Sequence, residues 1–185
     1  MGSKAEFSLQ PAARNSLLYS LVIPAHNEER NIANTTRALV TELRSEQIPF
    51  EIVIVNDNSK DATVPVVENL QREFPEIVLV HNAPPNGLGR AVRCGLRHYK
   101  GDVVAVVMAD LSDSPKDVVA CYRKIEEGYD CAYGSRFTKS SVVTGYPLYK
   151  LVVNRLVNKM IQIMFLTPHN DLTNAFKVYR RHVIS

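Results

Sequence analysis

Residues 102–115 read Asp-Val-Val-Ala-Val-Val-Met-Ala-Asp-Leu-Ser-Asp-Ser-Pro. The apolar run at 103–108 stops at an acidic turn holding Asp110 and Asp113, and Pro115 suits the first turn of a helix. A short buried strand that delivers carboxylates at its carboxyl end is how an open α/β sheet builds a ligand site. Carboxylates in that place can hold a hard divalent cation, and the cation can hold a diphosphate. The plainer alternative is a strand followed by an Asp/Ser helix cap.

Outward from this stretch the pattern alternates. Apolar strands are expected at 19–23, 51–55, 77–81, 102–108 and 130–134. Helices are expected at 28–45, 61–74, 87–99 and 115–127, with Asp61 a candidate cap and Pro65 tolerable in a first turn. Strands alternating with helices predict an α/β fold with a mainly parallel sheet covered on both faces. After Pro147 the alternation ends. Residues 147–166 form an amphipathic helix whose apolar side includes Leu156, Met160 and Met164, with Lys150, Asn154, Arg155 and Lys159 on the polar side. Its expected place is against the sheet; the alternative is a helix lying in a membrane interface.

The 185 residues make one domain, 18–185, behind a loose leader at 1–17. A net charge of +3, with no basic stripe interleaved with aromatics, gives no case for nucleic acid. A mildly basic face toward an anionic membrane or phosphorylated ligand stays open. Cys94, Cys121 and Cys131 lack any Cys-x-x-Cys spacing, which favours free thiols in a reducing compartment. No apolar run approaches the roughly 20 residues of a membrane span. The expected location is therefore cytoplasmic, with peripheral contact at the cytoplasmic membrane face.

Every predicted strand ends in unusual polar residues. These are Pro24-Ala25-His26-Asn27-Glu28, Asn56-Asp57-Asn58-Ser59, Asn86-Gly87-Leu88-Gly89-Arg90, Asp110, and Gly134-Ser135-Arg136. In open sheets ligands bind at that edge. Asp57 can accept hydrogen bonds from the ring N–H of a base, or serve as a turn residue. Glu28 can bind ribose or begin a helix. Gly87 lets the backbone approach a ligand closely, and Arg136 can pair with phosphate. The five histidines show no metal spacing. Pro-Ala-His-Asn-Glu after the first strand, where a dinucleotide fold has Gly-x-Gly-x-x-Gly, argues against a dehydrogenase.

Taken in order, residues 23–29, 55–63, 86–90, 108–112, 134–137 and 171–180 resemble the family 2 inverting glycosyltransferases of the GT-A fold, a three-layer α/β/α sandwich. The last three segments look like the polyprenyl-phosphate branch, with the dolichyl-phosphate mannose synthases as the nearest kind. The resemblance implies a nucleotide-diphosphate sugar donor of the GDP-mannose or UDP-glucose type, held by Pro24, Ala25, Glu28, Asp57 and Gly87. It implies Mg2+ or Mn2+ on Asp110 with help from Ser112. Arg136, Lys150 and Asn154 would meet the phosphate of a polyprenyl acceptor, and Asp171 would stand close to the reacting sugar, so that Asp110, Asp171 and Arg136 carry catalysis. Alternative roles are transfer to a saccharide hydroxyl, or nucleotide-sugar binding without catalysis. Three departures from the family pattern set further expectations. Met108 stands where the family has a first metal-site Asp, so the metal site should be weaker, with support from Asp113. Asn56 replaces a common Asp. The sequence stops at Ser185, so the domain is expected to lack its C-terminal part.

Overall fold

The computed structural model describes residues 17–134, 148–166, 171 and 176–184, without side chains for 148–152. The leader, apart from Leu17, lies outside the described residues, and so does Arg136. The elements are β1 (Tyr19–Ala25), α1 (Ile32–Ser45), β2 (Phe50–Asn56), α2 (Thr63–Glu73), β3 (Ile77–His81), α3 (Leu88–His98), β4 (Val103–Val106), α4 (Pro115–Glu126), β5 (Cys131–Tyr133), α5 (Leu148–Phe165), β6 (Lys177–Arg180) and α6 (Arg181–Ile184). The sheet order is β3-β2-β1-β4-β6-β5, and β6 alone runs antiparallel to its neighbours.

β1 and β2 are buried at every position, as strands covered on both faces must be. Tyr19, Leu21, Ile23 and Ala25 turn to a large core shared with α1, α2 and α4. Val22, Val53, Val55 and Val104 turn to a smaller core under α3. α3 sits close to the sheet because residue 95 is glycine: a Cβ there would stand 2.3 Å from Val22 Cγ1. Three layers result, as expected.

The strand at 177–180 was not expected from the sequence. It is short, and only Val178 is buried, so it gives little apolar signal. β4 stops at Val106, two residues before the expected end. α5 reverses the expected packing. Asn158 is only 1% exposed and Asn154 and Gln162 are half-buried, while Leu156 is 69% exposed and Val153, Met160, Ile163 and Met164 also face solvent. Helical periodicity identifies an apolar face but is silent on what meets it.

Candidate active site

The parallel sheet changes winding direction between β1 and β4, and such a switch point opens a crevice at the carboxyl edge. Pro24 marks it. The Val22 carbonyl takes the Val107 amide, so even-numbered β1 residues direct backbone groups toward β4. At Pro24 the β4 ladder has ended, so the missing N–H breaks no pairing. On the other side, the Ala25 carbonyl takes the Asp57 amide at 2.8 Å.

The loops after β1 and β2 are tied together by side chain–backbone bonds. Asn27 Oδ1 accepts from the Lys60 amide at 2.8 Å, and Glu29 carboxylate from the Ala62 amide at 2.8 Å. Thr63 Oγ1 accepts from the Glu28 amide at 2.8 Å. His26 Nδ1 lies 2.7 Å from the Asp57 carbonyl oxygen. Since that oxygen only accepts, Nδ1 carries the proton, and Nε2 accepts from Asn27 Nδ2 at 3.2 Å. Glu28 is half-buried and accepts from Asn31 Nδ2. Its carbonyl receives the amides of Asn31 and Ile32, in a turn that leads into α1.

Asp57 is buried, and both of its carboxylate oxygens already have protein donors. Asn82 Nδ2 gives to Oδ1 at 2.7 Å, and the Gly87 amide gives to Oδ2 at 2.7 Å. Asp57 therefore fixes the loop that follows β3. Gly87 has φ +150°, which favours glycine, and Gly87, Gly89, Arg90 and Arg93 line a concavity of about 400 Å³.

The turn from β4 to α4 presents Asp110. Thr35 of α1, fully buried, donates to the Ala109 carbonyl at 2.6 Å. Asp113 accepts from the Met108 amide at 3.0 Å, and Asp110 Oδ1 from the Ser112 amide at 3.0 Å. Between them Leu111 is held at φ +59°, a conformation costly for a residue with a Cβ. Asn27 and Asn58 take the same left-handed conformation in the loops after β1 and β2. The slight burial of Asp110 would raise its pKa, but hydrogen bonds from Ser112 outweigh that and hold the carboxyl below its usual range. Burial pushes the Asp113 carboxyl up, and the charges of Asp110 and Asp117 add to the rise against the Met108 amide.

Among the described residues no three His, Cys, Asp or Glu side chains are placed to share a metal. A Mg2+-type ion, bound by one or two carboxylates with substrate phosphates and water, fits an exposed and ionised Asp110. Asp171 is fully buried and lies on the chain that enters β6. Because β6 is antiparallel to β4, its first residue, Lys177, pairs with Val106 at the edge where β4 ends. Lys150 and Asn154 lie one turn apart on α5. Sequence reasoning placed His26 at the edge of the pocket but missed Thr35 and Asn82 as parts of this framework. Each supports a site loop from elsewhere in the chain and carries no local motif.

The family model described as "Glycosyl transferase family 2" matches residues 20–185. The chain is 28% identical over 167 residues to a dolichol-phosphate mannosyltransferase from Pyrococcus furiosus, covering 89% of this chain and 47% of the relative. It is 29% identical over 171 residues to an undecaprenyl-phosphate 4-deoxy-4-formamido-L-arabinose transferase from Shewanella sediminis, covering 89% and 49%. The chain thus spans about half the length of the curated relatives it matches. Among solved structures, glucosyl-3-phosphoglycerate synthase from Mycobacterium tuberculosis in complex with Mn2+, UDP-glucose and phosphoglyceric acid superposes with a TM-score of 0.68 at 18% identity, covering 90% of this chain and 58% of that one. A mannosyltransferase from Pyrobaculum calidifontis in complex with GDP-mannose and Mn2+ superposes with a TM-score of 0.59 at 18% identity, covering 90% and 45%.

Proposed function

This chain belongs to glycosyl transferase family 2, and from that premise we propose that it moves a hexose from a nucleotide-diphosphate sugar to a polyprenyl phosphate with inversion at the anomeric carbon. The observation that carries the proposal is the turn at 107–113, which holds an ionised, exposed Asp110 in the β1/β4 crevice. The two curated relatives, named for dolichol phosphate and undecaprenyl phosphate, support the lipid acceptor.

The donor's nucleotide lies along Pro24, Ala25, Glu28, Asp57 and Gly87. Asp57 reads the base through lone pairs left after Asn82 and Gly87 are served, since a carboxylate has about four such sites. Asp110, with Ser112, holds Mg2+ or Mn2+. When bound, that ion neutralises charge on the departing diphosphate. Arg136, Lys150 and Asn154 receive the acceptor phosphate, and Asp171 orients the sugar. A phosphate monoester with a second pKa of about 6 is largely ionised at neutral pH and attacks without a strong base. That agrees with a site in which His26 is engaged on both ring nitrogens.

α5 supports a lipid-facing role, since its apolar stripe is turned outward. Among the described residues no helix is long and apolar enough to cross a membrane. We place the protein at the cytoplasmic face of a membrane, a location its free cysteines favour. The test is a transfer assay with labelled GDP-mannose or UDP-glucose and Mn2+, offering a polyprenyl phosphate or a saccharide. Product on the lipid phosphate alone is expected. Product on the saccharide alone would move the acceptor to a hydroxyl, and donor binding without transfer to either would make the chain a binding module. Thermal unfolding with each donor reports binding independently, because a ligand at 100 times its Kd stabilises by about 2.7 kcal/mol.

A further inference from the structure

The basic residues of this protein are unevenly distributed. Between Glu76 and Asp102 the sequence has no Asp or Glu, yet it carries Arg90, Arg93, Arg97 and Lys100. That stretch contributes +4 to a chain whose net charge is +3, so the remainder sums to −1. The overall positive balance therefore resides in one helix and the residues beside it.

α3 displays these charges on one side. Residues 90, 93 and 97 fall at i, i+3 and i+7, along a single helical face. Ala91 and Gly95 are buried on the opposite face, against β1 and β2. The arginines accordingly point away from the sheet, and all three are exposed. Arginines on the other side of the molecule are neutralised locally: Arg37 by Glu73, Arg44 by Glu76, and Arg123 by Glu46 and Glu126. Arg90, Arg93 and Arg97 meet no acidic side chain among the described residues. Like charges set one turn apart repel, so this row is unfavourable until an anionic surface neutralises it.

We infer that the outward face of α3 is an electrostatic docking surface for the anionic headgroups of a lipid bilayer. Charge complementarity asks for a polyanionic partner. A nucleic acid is the poorer fit, because no aromatic side chain stands among the arginines and Tyr99 is covered by the Arg181 guanidinium at 4.9 Å. The choice of a bilayer rests on the proposed lipid-phosphate acceptor, which would have to be met at a membrane. The arginine row supplies the charge that peripheral attachment to an anionic surface draws on.

Flotation with vesicles tests this, using phosphatidylcholine alone and phosphatidylcholine mixed with phosphatidylglycerol. Wild type should partition more strongly onto the mixed vesicles, and salt should erase the difference. The double variant Arg97→Gln/Lys100→Gln, which leaves Arg90 and Arg93 at the Gly87 concavity, should partition about thirty-fold more weakly onto the mixed vesicles and unchanged onto phosphatidylcholine. Its transfer to a short-chain polyprenyl phosphate in detergent should match wild type. Equal flotation of wild type on both vesicles, or of variant and wild type on the mixed vesicles, would overturn the assignment. So would tighter binding of wild type to a single-stranded RNA than to the mixed vesicles. Absence of transfer by either protein, with selective flotation intact, would instead count against the acceptor and leave the docking surface standing.

Discussion

Thr35 looks unremarkable in the sequence, a hydroxyl in the middle of an amphipathic helix, yet it is what fixes the backbone next to Asp110. Thr35→Val keeps the shape and removes the donor, leaving the buried Ala109 carbonyl unpaired. We expect a loss of about 1–3 kcal/mol in denaturant unfolding, together with a smaller Mn2+-dependent thermal shift in the presence of donor. Asp110→Ala should behave the other way round. The side chain is exposed, so the melting temperature should hold while transfer falls below detection. Undiminished turnover in that variant would remove Asp110 from the mechanism. These two residues also mark what the sequence disclosed of the site. Asp110 was legible because carboxylates that end an apolar strand have a known geometric consequence. Thr35 was not, because its partner lies 74 positions away and no local pattern announces a long-range bond. Asp57 was legible as an edge residue, but its grip on Gly87 depended on where β3 returns the chain.

Elements differ in how much their sequence settles. β1 and β2 read correctly because seven consecutive buried positions leave few alternatives. β6 carries one buried side chain in four and was passed over. α3 depends on a glycine whose replacement can be predicted from distance alone. In Gly95→Ala the new Cβ would crowd Val22 Cγ1 and Val55 Cγ2, and thermal unfolding should register an overpacking cost of about 1–3 kcal/mol. α5 should respond oppositely. Leu156→Asp/Met160→Asp introduces charge on a face already in water, so stability should change by about 0.5 kcal/mol or less per site. Flotation onto neutral vesicles should nevertheless collapse. A large stability loss in that variant would mean that the stripe is covered by protein in solution.

Across the whole molecule, buried groups that must stay neutral set an alkaline limit. Burial, with Asp117, Cys131 and Asp113 nearby, raises the Cys121 thiol from 9.0 to about 11. Burial, with Glu126 adding to it, raises the Tyr122 hydroxyl from 10.0 to about 12. Once the pH passes the lower value of each pair the unfolded chain loses its proton while the folded chain keeps it, so unfolding becomes progressively easier. Stability should be level up to about pH 9 and then decline toward pH 12, and Cys121→Ala should flatten the first part of that decline in a chemical-denaturation series. The sheet order has a consequence of another kind. Among the described residues β5 pairs only with β6, and β6 is made from residues 177–180. As the ribosome delivers the chain, β3, β2, β1 and β4 can assemble into a parallel half-sheet, whereas β5 has no strand to join until β6 is added between it and β4. The nucleotide edge can therefore form early in synthesis, before residues 177–180 supply the strand that joins β5 to the sheet.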